Sequence, residues 1–130
     1  MIEKRTSLLP LQQAMYDRLR STLSCAVYDD VPDNPQYPYV VIGEDTSGDW
    51  STKLVSGEEV TSTNHVYSRY RGSKEVKRIL DEMVQSVTKS PLTLEGFKVV
   101  TTEVEFLQVY KESREIRHGV VRFRLKIIVK

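Results

Sequence analysis

The side chains best equipped for chemistry in this 130-residue chain are two histidines, His65 and His118, one cysteine, Cys25, and the carboxylates Asp29, Asp30 and Asp33. Two imidazoles and one thiol do not complete a common structural zinc site without carboxylates, and no Cys-x-x-Cys or His-x-x-x-His spacing accompanies them. His65 falls in the middle of a β-prone segment and His118 at the start of another, beside Gly119, where a structural or solvent-facing role is expected of each. The three aspartates lie among Pro32, Asn34 and Pro35, and turn formation accounts for them better than a bound divalent cation. Arg71-Gly72-Ser73-Lys74 offers one glycine where a phosphate-cradling loop needs a set, so Ser73 reads as a helix cap. No nucleophile-elbow motif is present. The expectation is a protein that is not an enzyme and uses no metal or cofactor.

Nucleic-acid recognition has one point in its favour. Tyr67, Arg69, Tyr70, Arg71 and Lys74 interleave rings and cations as a base-stacking surface would. The cluster is short, however, and a net charge of +1 supplies no field to attract a polyanion.

The remaining composition is that of an ordinary globular chain, 39% hydrophobic and 28% charged. Its length suits one domain, residues 1–130, with a core that needs no staples. A lone cysteine excludes an internal disulfide and is compatible with a reducing compartment. No run of 18 apolar residues occurs, and the first seven residues lack the apolar stretch of a signal peptide, so a soluble product made in a cytoplasm is expected.

The elements that would position these residues follow from periodicity. Leu8, Leu11, Met15 and Leu19 mark one face of a helix over residues 8–23, with Ser7 as its cap and Pro10 in its first turn. Residues 25–28 read as a short strand, 31–38 as a proline-rich loop, and 39–42 as a buried strand. Residues 43–58 show no apolar periodicity and read as a long mobile loop, in part a hairpin. Residues 59–70 are β-prone but polar on both faces, which predicts a strand that is exposed or covered by another chain. Val76, Ile79, Leu80, Met83, Val84 and Val87 define a second helix, opened by Ser73 and Glu75 and stopped at Ser90-Pro91.

Residues 98–110 read as a strand with Val100, Val104 and Phe106 on one face. Over residues 117–129, Val121, Phe123, Leu125, Ile127 and Val129 alternate with Arg122, Arg124 and Lys126. A hairpin between these two strands, turning near Ser113-Arg114, sets Glu105 against Arg122 and Glu103 against Arg124, each pair contributing about 0.2–1 kcal/mol. The fold class is α+β: a mostly antiparallel sheet with two helices packed on one face, in the order α-β-β-β-α-β-β.

Several segments, taken in order, carry a resemblance. They are the N-terminal helix, Val27-Tyr28-Asp29-Asp30-Val31-Pro32, Tyr37-Pro38-Tyr39-Val40-Val41-Ile42-Gly43, Trp50-Ser51-Thr52-Lys53, His65-Val66-Tyr67-Ser68, Gly72 opening a helix, and the closing pair of strands. Together they resemble the tail-completion, or head-to-tail joining, proteins of long-tailed phages and prophages. Glu59-Val60-Thr61-Ser62-Thr63-Asn64 is more polar than that family's usual central strand.

The resemblance implies a structural virion protein at the head-proximal end of the tail, assembled in the host cytoplasm. It would form a ring, typically a hexamer, and its partners would be other copies of itself, the tail tube protein and a head-completion, stopper or connector protein. Genomic DNA would pass through the lumen without sequence recognition, and no membrane is involved. Ring contacts need two different complementary surfaces per subunit. The residues expected to supply them are Trp50, Lys53, Thr63, His65, Tyr67, Arg69, Arg122 and Arg124. A tail terminator or another neck protein of similar fold is one alternative. A small-ligand or regulatory domain that uses the open sheet face as its pocket is another.

Overall fold

The computed structural model describes residues 5–130; residues 1–4, and with them most of the segment read for a signal peptide, lie outside the described residues. The order is α1 (Leu8–Thr22), β1 (Ala26–Tyr28), β2 (Tyr39–Asp49), β3 (Gly57–Ser68), α2 (Lys74–Thr88), β4 (Thr93–Leu94), β5 (Phe97–Lys111) and β6 (Arg117–Val129). The strands form one six-stranded sheet in the order β1-β2-β3-β6-β5-β4.

Both helices lie where periodicity puts them. Leu11, Met15 and Leu19 are the buried row of α1, and Val76, Ile79, Leu80, Met83 and Val87 are that of α2. The caps are less local than the sequence suggests. Ser7 and Ser73 hold the N-cap positions, but neither hydroxyl makes a capping bond. Glu58, on β3, accepts the Ser7 N–H at 2.6 Å and the Thr6 hydroxyl at 2.9 Å instead. A carboxylate there also suits the positive end of the α1 dipole. The last turn of α2 and the residues after it are tied down from α1: the Arg18 guanidinium donates to the carbonyls of Ser86 (2.7 Å), Ser90 (3.1 Å) and Pro91 (3.3 Å).

The sheet is mixed, which corrects the expectation of a mostly antiparallel one. β1 runs parallel to β2, with Ala26 opposite Tyr39, because the proline-rich stretch returns the chain to the level at which β1 began. The other neighbours, β2–β3, β3–β6, β6–β5 and β5–β4, are antiparallel. The short β4 is an addition to the expected order.

Of the reading of residues 43–58, the hairpin part holds and the loop shrinks to residues 50–56. β2 continues through Asp49 and β3 begins at Gly57, so the segment is the upper part of a hairpin with a turn over residues 50–56. A register shift between Ile42 and Asp45 bends β2 at its midpoint.

β3 is interior, not exposed. It lies between β2 and β6, and its alternate residues Val60, Ser62, Asn64, Val66 and Ser68 are all buried. They join one apolar cluster, or lie beside it, with Phe123, Leu125 and Ile127 of β6 and the buried rows of both helices. Two of its polar groups find partners there: Ser68 donates to Glu75 at 2.7 Å, and the Asn64 amide donates to Ser62 at 3.4 Å, while the Asn64 Oδ1 has no partner among the described residues. Gly119 shows how closely α2 sits on this face. A Cβ at that position would lie 2.8 Å from Val66 and Val76 and 2.9 Å from Leu80.

The β5–β6 hairpin turns between Lys111 and Arg117, as the alternation predicts. Glu103 stands opposite Arg124, but a second shift between Val104 and Phe106 places Phe106, not Glu105, opposite Arg122. The shift also divides the expected apolar row of β5. Val104 pairs with Phe123 of the helix-covered face, whereas Phe106 pairs with Arg122 of the other.

Candidate functional site

The face of the sheet turned away from the core carries most of the polar side chains singled out above. Register aligns Thr63 with Arg122, Thr61 with Arg124 and Tyr67 with His118, and His65 continues the same row of β3. Thr63 is buried and takes a hydrogen bond from the Arg122 Nε at 3.2 Å. Arg122 also stacks on the Phe106 ring, 5.1 Å from its centroid, and lies 3.8 Å from Glu105. Arg124 is bonded to both Glu59 and Glu105. Glu105, displaced by the bulge in β5, therefore serves both arginines, which the simple cross-strand pairing does not anticipate.

At the upper end of this face, Trp50 opens the hairpin turn, 38% exposed, with the Lys126 ammonium 5.2 Å from its ring centroid. Its N–H bonds the Gly57 carbonyl at 2.9 Å, closing the turn. Lys53 stands apart from the row, in the turn beside Leu54 (94% exposed) and the exposed Val55. A cavity of about 590 Å³ opens under this turn, with Arg5, Asp49, Leu54, Val55 and Glu58 among its walls. It is not on the open sheet face. Burial opposes the Glu58 charge, but hydrogen bonds from Ser47, the Ser7 N–H and Thr6 outweigh it and hold the carboxyl below its ordinary value.

At the lower end the face is aromatic. Tyr39 of β2 stacks on Tyr67 of β3 (5.2 Å), and Tyr67 stacks on His118 of β6 (4.3 Å). Tyr110 of β5 meets His118 edge-on at 4.9 Å. Tyr37 packs against Tyr39, and the Arg69 guanidinium caps the row 4.2 Å above the Tyr37 ring. Burial, reinforced by Tyr37, pushes the Tyr39 phenol up to about 12.

The two histidines, separated by 53 positions in sequence, meet here. His65 Nδ1 lies 2.8 Å from His118 Nε2. The far nitrogen of each faces a carboxylate: His65 Nε2 lies 3.1 Å from Glu44, and His118 Nδ1 lies 3.3 Å from Glu112. Burial pushes His118 down, and the adjacent His65 adds to this, against the opposite pull of Glu112 and Glu44. Gly43 makes the approach to β2 possible, because a Cβ there would lie 2.8 Å from His65 Cδ2 and 2.9 Å from the Thr63 carbonyl. Sequence reading missed the roles of His118, Glu44 and Glu112, since only the β3–β6 register reveals them. Among the described residues, no group of three or more His, Cys, Asp or Glu side chains is arranged to hold a metal ion.

Comparison with known proteins gives concordant results. Residues 13–128 match the family described as Tail completion protein gp17. Tail completion protein gp17 of Bacillus phage SPP1 is 33% identical over 96 residues, which span 73% of this chain and 70% of that protein. The solved structure of SPP1 gp17 superposes with a TM-score of 0.61 at 29% identity, covering 91% of this chain and 90% of that one. A chain from the virion of a native gene transfer agent particle has the same fold, with a TM-score of 0.85 at 22% identity, covering 96% and 99% of the two chains.

Proposed function

This chain belongs to the tail-completion protein gp17 family of phage virion tail proteins, and we propose that it completes the tail at its head-proximal end as a non-catalytic ring, typically of six copies, that docks the connector of the capsid. The observation that carries the reading is the family match over residues 13–128. Its partners are neighbouring copies, the tail tube protein and the head-completion or connector protein, with DNA passing through the lumen. A net charge of +1 suits a passage that must not hold a polyanion.

A ring needs two dissimilar surfaces on each subunit. Two are available: the hairpin turn with Trp50, Leu54 and Val55, and the exposed margin of β5, with Phe106 and Tyr110 on the open face and Leu107 on the helix-covered one. Large apolar side chains left in water on a small protein are characteristic of contact sites. Of the eight residues nominated from sequence, Trp50 and Lys53 belong to the first surface. Arg122 stacks beside the second through Phe106. Thr63, already buried, and Arg124, already paired, support the face rather than meet a partner.

The test is to mix the purified protein with isolated tail tubes and examine the tube ends by electron microscopy. A ring at one end only is the expected result. Tubes left bare at both ends by a folded protein would overturn the proposal.

A further inference from the structure

Glu44, His65, His118 and Glu112 form an unbroken polar chain from the bulged middle of β2, across β3 and β6, to the start of the β5–β6 turn. It has three gaps, of 3.1, 2.8 and 3.3 Å. Ionised carboxylates and unprotonated ring nitrogens can only accept, so each gap needs one proton on one side. Two neutral imidazoles carry two ring protons between them, and one gap is then always acceptor against acceptor. One additional proton fills all three. A second addition sets N–H against N–H across the 2.8 Å gap and places two cations side by side.

We infer that this chain is a one-proton clamp: it is closed while the histidine pair holds a single extra proton, and it loosens on loss of that proton or gain of another. The inference goes beyond the proposed function and does not depend on it.

Burial of His118 and the neighbouring His65 oppose charge on the pair, while Glu112 and Glu44 favour it. Glu44 and Glu112 stand at the two ends of the pair, and the rings against it are the phenols Tyr67 of β3 and Tyr110 of β5, with Tyr39 of β2 one ring further out. The Arg69 guanidinium lies beyond, over Tyr37. Arg117, next to His118 in sequence, is directed to the carbonyls of Ser113 and Arg114.

The sheet already joins these strands, and what the polar chain adds is a hold on its two ends. Glu44 lies in the register shift of β2, without a ladder partner on β3, and its side chain is 74% exposed. Glu112 enters the turn that connects β5 to β6, held there by its N–H to the Ile116 carbonyl at 3.0 Å. A proton shared by the two imidazoles therefore connects the base of one hairpin to the turn of the other.

The test is a histidine-ring proton–nitrogen correlation spectrum of the full chain, followed from acid to alkaline pH, with amide exchange measured at residues 44 and 112. The expected result is three protonated ring nitrogens out of four in an intermediate pH range, two separated and coupled titration steps, and slowest exchange between them. Glu112→Gln, and independently Glu44→Gln, should move the higher step to lower pH. Because both carboxylates are on the exposed rim, these variants should fold, which the unfolding midpoint verifies. His118→Phe keeps the ring stack and should leave His65 with a single step. Two independent steps in the wild type, unmoved by either glutamine variant, would overturn the inference.

Discussion

β3 carries Glu58, Glu59, Thr61, Ser62, Thr63 and Asn64 and lies in the middle of the sheet, whereas β5 carries Val100, Val104, Phe106 and Leu107 and lies near its margin with those residues exposed. Composition alone would exchange them. A strand's place is set by what pairs with its backbone, and its polarity then records what else the strand must satisfy. β3 has both main-chain edges occupied and can bury short polar side chains, because Ser68 reaches Glu75, Asn64 reaches Ser62 and Glu58 caps α1. Among the described residues, β5 has β6 along one edge and only the two residues of β4 on the other, and it extends its apolar side chains past the helices.

Substitutions in the core, the caps and β5 should have effects that fall in that order. Removing the core ring that packs between the helices and the interior strands, Phe123→Ala, should cost about 3–5 kcal/mol in denaturant unfolding. Arg18→Ala, which frees the carbonyls after α2, should cost about 1.5–3 kcal/mol, as expected for hydrogen bonds from a charged donor. Glu58→Ala removes a cap supplied by β3 and should cost about 0.5–2 kcal/mol.

The same glutamate has a pH signature. Its carboxyl is held below its ordinary value in the fold, so the stability it contributes is present above the unfolded-state pKa and is lost as pH falls through the folded-state one. The acid limb of a stability–pH curve should flatten in Glu58→Gln. At the other extreme, Phe106→Ser and Leu107→Ser should change stability by no more than about 0.5 kcal/mol, while abolishing recruitment to tail tubes. A loss of stability there comparable to that of Phe123→Ala would show that β5 belongs to the core and would collapse the contrast.

The parts legible in sequence are those in which one element settles its own pattern. Both helices and the alternation of β6 follow from apolar spacing, because each buries one face against the core. The upper half of β2 was not legible. Glu44, Asp45, Thr46, Ser47 and Asp49 have no apolar alternation, and only pairing with β3 makes them a strand. The burial of β3 was hidden for the same reason, since it follows from pairing with β2 and β6 along both edges. Of the candidate site, the cross-strand arginine and glutamate types were readable, but the bulge that moves Glu105 was not. His65 and His118 could be seen as residues and not as a pair, because a register shift of one position would send them to opposite faces.

The two irregularities of β5, between Val99 and Thr101 and between Val104 and Phe106, have a bearing on solubility. An apolar strand with a free edge invites any other extended chain to lie against it, which is how ordered aggregates begin. A kink interrupts the regular row of donors and acceptors that such growth requires. The kinks cut the strand into two shorter runs, residues 101–104 and 106–111, and the more apolar of them ends in the charge of Lys111, which disfavours growth along this edge while its greasy side chains stay in water.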